Sequence, residues 1–352
     1  MAGAAILSLD NPVIFHLLSP RIVRSGVCLL ALGVLLAGCG RGGRGKTREV
    51  AYIAAPQVAL RDRVAVVYNK TGVARNGERV EVLERARRFV RVRTASGVEG
   101  WVEQRFLVGK DVFDGLQKLT QENRDAPGQA HGTTRAETNL HITPGREAEH
   151  LYQLLQGEKV TILRRAVTER VLPGTPANSA AKPKIEGKEP PKPVLEDWWL
   201  VRDAQNRVGW VLSRLVDLDI PLEVAQYAEG QRVVAFFVLN EVNDAGKKVS
   251  QYLVLFSEPK DGLPFDYDQI RVFTWNLKRH RYETAYRERK LAGMLPVRAG
   301  RETFEKEGDL PFFALQVQDA SGQPVERKYK MNGVMVRRVL APGEQPAKRR
   351  RR

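Results

Sequence analysis

The chain has 352 residues, enough for two or three domains, and carries a formal net charge of +16 with a pI near 10.0. So basic a balance favours an anionic partner. Its two cysteines, Cys28 and Cys39, both lie in the N-terminal apolar segment, which excludes a disulfide framework or a thiolate metal site in the body of the protein.

Arg21 and Arg24 precede an apolar run from Val27 to Leu36, and small residues follow at Ala37-Gly38-Cys39. A basic region, an apolar stretch of about ten residues and small residues before a cut describe a secretory signal, here over residues 1–38. The run is short of the roughly 20 residues that a membrane-crossing helix needs. Residues 1–38 hold Arg21 and Arg24 against Asp10, a net of +1, so a chain beginning at Cys39 keeps +15. The first twenty residues are long for a leader, which leaves open a start codon further downstream. Leu36-Ala37-Gly38-Cys39 resembles the lipobox of bacterial lipoproteins. The resemblance implies that the Cys39 thiol carries diacylglycerol, that the leader is cut before it, and that the new amino terminus is acylated. Gly40 stands where an Asp would resemble an inner-membrane retention signal, so the implied location is the outer membrane, facing the periplasm, in a cell with two membranes. Residues 39–46 then form the lipidated cysteine and a Gly/Arg/Lys tether, either a solvated spacer or a strip lying on anionic headgroups.

A repeated pattern follows. Gly77-Glu78-Arg79-Val80-Glu81-Val82-Leu83, Phe89-Val90-Arg91-Val92-Arg93 and Gly100-Trp101-Val102 return as Gly157-Glu158-Lys159-Val160-Thr161-Ile162-Leu163, Trp198-Trp199-Leu200-Val201-Arg202 and Gly209-Trp210-Val211. Leu60 answers Leu140 and Gly77 answers Gly157 at an offset of 80; from Phe89 onward the offset is 109, so the second copy carries 29 extra residues. Short alternating strands joined by glycine turns describe a small antiparallel barrel, twice. The pattern resembles the bacterial Src-homology-3 domain, at 47–109 and again at 136–218. The resemblance implies modules that bind wall peptides or glycans, or dock proteins, and that are seldom catalytic.

In the first copy, Val64-Ala65-Val66-Val67-Tyr68 is an apolar run less patterned than the later strands. Trp101 either packs across the barrel mouth or stacks on a ligand. Residues 110–135 read as a linker in which Val112, Leu116 and Leu119 share one face of a short helix, with Asp111 as its N-cap. In the second copy, Glu147 to Leu155 is spaced like a helical turn or a long loop. The insertion, 168–194, holds six prolines and four lysines and cannot bury enough apolar surface to fold alone. It reads as a mobile excursion that captures a partner, or as a neutral insertion. Trp198 and Trp199, adjacent on one strand, face opposite ways. Trp199 and Trp210, with Trp101, are the candidate ligand contacts, since indole faces suit sugar rings and aliphatic side chains; domain packing is the alternative.

Residues 219–341 have no copy elsewhere. Apolar runs at 233–239, 252–256, 269–275, 281–287, 312–318 and 325–339 predict about six antiparallel strands in a meander, with Asn243-Asp244-Ala245-Gly246 as a hairpin loop. Residues 342–352 end in five basic side chains and read as a disordered tail, solubilising or drawn to envelope polyanions; the export signal argues against nucleic acid. The five histidines are scattered, no zinc-ligand spacing or nucleophile elbow occurs, and an acylated Cys39 leaves no free thiol. No enzyme, no metal and no cofactor is expected. The chain thus reads as all-β: two small barrels, a short linker helix and a C-terminal antiparallel sheet. The expected role is a lipid-anchored binding protein engaging peptidoglycan or envelope components, the alternative a structural or assembly lipoprotein docking onto protein partners without glycan affinity.

Overall fold

The computed structural model describes residues 49–170 and 193–340. The leader, Cys39, the tether, most of the insertion and the basic tail lie outside the described residues. From Glu49 onward the chain forms one compact unit. Almost all of its regular structure is strand, in three seven-stranded sheets.

The first sheet takes β1 (Val50–Ile53), β2 (Gln57–Arg61), β3 (Lys70–Arg75), β4 (Arg79–Ala86), β5 (Phe89–Thr94), β6 (Glu99–Glu103) and β7 (Leu107–Gly109), in the order β3-β2-β6-β5-β4-β1-β7. The second takes β8 (Ala130–Thr134), β9 (Thr138–His141), β10 (His150–Leu154), β11 (Lys159–Glu169), β12 (Leu195–Asp203), β13 (Val208–Leu212) and β14 (Val216–Leu218), in the order β10-β9-β13-β12-β11-β8-β14. The order is the same once each number is raised by seven. Even the irregularities repeat: the register of β4 on β5 slips between Val82 and Glu84, and that of β11 on β12 between Ile162 and Arg164. A bulge of this kind bends a short sheet toward closure, so the two copies curve at corresponding places.

Two expectations fail within the barrels. Val64 to Tyr68 is no strand but the loop joining β2 to β3, with Val66 98% and Val67 84% exposed. Glu147 to Leu155 is neither helix nor long loop: its second half is β10, whose Leu151, Tyr152 and Leu154 are buried. The apolar spacing there serves a strand that pairs with β9 at His150–His141.

Helix α1 (Lys110–Glu122) joins the barrels and is capped by the backbone of Gly109, with Asp111 inside the first turn instead of at the N-cap. Its apolar stripe buries Val112 and Leu116 among the core residues of the second barrel, including Leu140 and Leu151. On the other side Phe113 stacks on Tyr52 of β1, ring centroids 4.2 Å apart. The helix thus fills the seam between the two barrels.

The third sheet is a meander of β15 (Arg232–Asp244), β16 (Lys247–Ser257), β17 (Tyr267–Asn276), β18 (Arg281–Phe304), β19 (Gly308–Gln318), β20 (Pro324–Asn332) and β21 (Met335–Val339), preceded by the single turn α2 (Leu222–Ala225). The expected run from 325 to 339 divides into two strands at Gly333, which adopts a positive φ. The expected strand at 281–287 continues for 24 residues, pairing first with β17 and then with β19. Gly293 permits this where the strand changes neighbours: a Cβ there would stand 2.1 Å from the Tyr267 ring, which is itself wholly buried. Gly293→Ala should therefore lower stability by about 1–3 kcal/mol through overpacking, as read by urea denaturation.

The third sheet shares a continuous core with the second barrel. Trp199, Val201 and Ile162 belong to the same buried cluster as Val234, Leu253, Leu255, Val272 and Phe313. Barrel 2 is therefore joined to the sheet through apolar packing, whereas the core of barrel 1 (Ile53, Leu60, Val80, Val92, Val102) is a cluster of its own.

Candidate functional site

The long β11–β12 hairpin explains that asymmetry. Its distal half reaches past the barrel, and buried Arg165 on β11 pairs with Asp197 of β12 at 2.6 Å and with Asp266 of the third sheet at 3.2 Å. Arg165 also donates to the Leu263 and Phe265 carbonyls, while Gly262 N–H and Arg232 reach Asp197. Burial would push the Asp197 carboxyl up, but these donors and cations hold it below its ordinary value. Asp266, buried with fewer donors, is pushed up by burial despite the Leu295 N–H and Arg165. The base of the insertion thus builds the junction between domains, a role its composition did not suggest. Asp266 is part of that junction.

Corresponding surfaces of the two barrels have diverged. In barrel 2, Leu163, Leu200 and Val208 are buried on the outer face, with Leu119 of α1, Ala126 and Trp210 packed against them. Their counterparts in barrel 1 are Leu83, Arg91 and Glu99, and Leu83 is 36% exposed. Among the described residues no helix covers that face. Trp210, half-buried, packs against the apolar face of barrel 2. Trp199, 4% exposed within the shared core, presents no face to a sugar ring. The structure thus places Trp199 in packing, whereas Trp210 stays half-buried, as Trp101 does. Val102 points into barrel 1 and is 1% exposed, so Trp101 points outward, half-buried and opposite Arg61 and Arg91 on the flanking strands.

Beside it runs a groove that sequence reasoning missed. The Arg61 guanidinium lies 4.3 Å over the Tyr68 ring and 5.2 Å over the Phe89 ring, and pairs with Glu103 at 3.1 Å. Phe89 and Glu103 in turn line an open cleft of about 660 Å³ with Arg87, Arg88, Arg105 and Leu107. The β4–β5 turn places Arg87 and Arg88 there, with Arg87 at φ 53°. Four arginines, Arg61, Arg87, Arg88 and Arg105, stand against the one carboxylate of Glu103, which pairs with both Arg61 and Arg105. Such a groove suits a ligand with carboxylates and short apolar groups. The signal in sequence was the run Arg85-Ala86-Arg87-Arg88-Phe89, basic up to an aromatic; what it lacked was the fold that brings Arg61 and Tyr68 across to it.

Among the described residues no cluster of three or more His, Cys, Asp or Glu side chains could hold a metal ion, and no helix is long and apolar enough to cross a membrane.

The architecture is that of an all-β protein built from small barrel modules of the binding type. Residues 59–108 match the family model of the bacterial SH3 domain, and residues 137–217 that of the GW (Gly-Tryp) dipeptide domain. The resemblance read from the sequence thus holds for the first barrel, while the second matches the Gly-Trp model. Both are binding modules and neither is a catalytic domain. No curated protein matches the chain. Among solved structures, NlpC2 from Trichomonas vaginalis aligns at 10% identity over 80% of this chain and 96% of its own, with a TM-score of 0.17. An NlpC/P60 family protein from Bacillus cereus ATCC 10987 aligns at 10% identity over 67% and 93%, with a TM-score of 0.22. NlpC1 from Trichomonas vaginalis aligns at 8% identity over 68% and 87%, with a TM-score of 0.16. Superpositions this loose carry no argument about function.

Proposed function

We propose that the protein is an exported, lipid-anchored and non-catalytic binding protein of the cell envelope, held at the membrane by Cys39 and engaging peptidoglycan through barrel 1. Bacterial SH3 and GW domains are cell-wall binding modules, which supports an envelope partner. The observation that carries the reading is the open groove of Arg61, Tyr68, Phe89, Arg87, Arg88 and Arg105 beside outward-facing Trp101. Its arginines answer the carboxylates of wall stem peptides, and its aromatic rings answer their methyl groups and the sugar faces.

The test is sedimentation of residues 49–352 with purified peptidoglycan at low and moderate salt. Arg61→Ala with Phe89→Ala should weaken pelleting about tenfold, near 1.4 kcal/mol, as expected when an arginine and an aromatic anchor are both truncated. Circular dichroism should be unchanged, since both side chains lie outside the barrel core. Trp199→Ala, by contrast, should act only through folding. Pelleting that vanishes at moderate salt and ignores the groove variant would reduce the wall to an unspecific polyanion.

A further inference from the structure

Trp198 occupies in barrel 2 the place that Phe89 occupies in barrel 1. The registers agree: Phe89 pairs with Ala86 and Glu103, and Trp198 with Ala166 and Leu212. Where Arg61 lies over Phe89, its counterpart His141 meets the Trp198 ring edge-on at 5.4 Å. Yet Phe89 lines an open cleft and Trp198 is 2% exposed.

Beside Trp198 the β9–β10 loop, residues 142–149, is tied down at both ends. Arg146 on this loop makes a bidentate pair with Glu196, at 2.8 and 2.6 Å. Glu196 lies two residues from Trp198 on the same face of β12. At its other end the loop is held by His141, whose Nδ1 is 2.8 Å from the Ala148 carbonyl, and His150 packs on His141 at 5.1 Å. The Trp198 indole N–H is fully buried and has no hydrogen-bond partner. A buried donor without an acceptor is costly, and natural structures rarely keep one without a reason.

We propose that Trp198 is the contact residue of a second binding site, closed by the 142–149 loop, and that opening this loop admits a ligand bearing a carboxylate. Once Arg146 leaves Glu196, the groups facing the space are the Trp198 N–H, the Arg146 guanidinium and the two imidazoles. All of these donate to an oxygen anion or, for the imidazoles, can do so; Glu196 accepts, with Arg170 4.0 Å from it, and the loop adds the carboxylates of Glu147 and Glu149. The loop therefore competes with the ligand for Arg146, and the closed population lowers apparent affinity. This site lies outside the barrel 1 groove, so its failure would leave the wall-binding reading untouched.

The experiment uses residues 49–352 and the probe acetyl-Ala-Ala with a free carboxylate, with its amide as control. Glu196→Gln removes the charged latch. Arg146→Gln, on the loop itself, serves as an independent opening variant should Glu196→Gln impair folding. Each is made with and without Trp198→Phe, so that the difference in emission isolates Trp198. Opening should make the Trp198 emission quenchable by iodide in at least one latch variant. Glu196→Gln should raise dipeptide affinity about tenfold, the carboxylate form only, and Trp198→Phe should abolish the gain. Trp198 emission that stays shielded in every folded latch variant overturns the proposal. So does a dipeptide affinity that ignores Trp198→Phe or does not distinguish acid from amide.

Discussion

Replacing Arg165 with Ala should destabilise the protein by about 3–5 kcal/mol, since removing one partner of a buried ionic network strands the charges that remain. Arg165 is 2% exposed, Asp197 is fully buried and Asp266 nearly so, and the arginine stands between the two carboxylates. Without it, two buried acids face one another with only Arg232 as a nearby cation. Urea denaturation followed by circular dichroism reads the loss, and a change below about 1 kcal/mol would mean that the network contributes little. The pH dependence has two opposed parts. Asp197 has its carboxyl held low, so its contribution is present above its unfolded value and is lost as pH falls through the folded one. Asp266 is pushed up, so its contribution is present below its unfolded value and is lost as pH rises through the folded one. Asp266→Asn should therefore flatten the alkaline side of that profile and leave the acid side in place.

Trp199→Ala should cost about 3–5 kcal/mol, the range for truncating a large aromatic in a packed core. Trp199 packs in the core that barrel 2 shares with the third sheet, so the loss should fall on their junction. Native-state hydrogen exchange should show β15 and β12 losing protection together, while β4 and β5 of barrel 1 keep theirs. Undiminished protection in β15 would remove the shared core from the account of stability. Wall binding through Arg61 and Phe89 should survive at temperatures where the variant remains folded.

The repeat, the all-β class, the linker helix and the C-terminal meander were legible in the sequence because each rests on local rules. Alternation of apolar residues marks strands, glycine marks their turns, and the spacing of Val112, Leu116 and Leu119 marks one helical face. Asn243 to Gly246 reads as a hairpin loop for the same reason, and Ala245 and Gly246 both take the positive φ that a two-residue turn requires. Local rules also misled where an apolar run had two uses: Val64 to Tyr68 has strand composition but forms an exposed loop.

What surrounds each tryptophan was decided by tertiary structure alone. Trp101 and Trp210 stand at the same place in the repeat, with the same Gly-Trp-Val sequence, and alternation turns both outward. Both are half-buried, but Trp210 packs on the apolar Leu163, Leu200 and Val208 beside Leu119 of α1, where the corresponding residues near Trp101 are Leu83, Arg91 and Glu99. The sequence by itself determined the repeated pattern of strands and turns, since these follow from periodicity and glycine placement. Only the folded chain decided which barrel face remains open, because that depends on what a distant helix, a bulge and a third sheet leave uncovered.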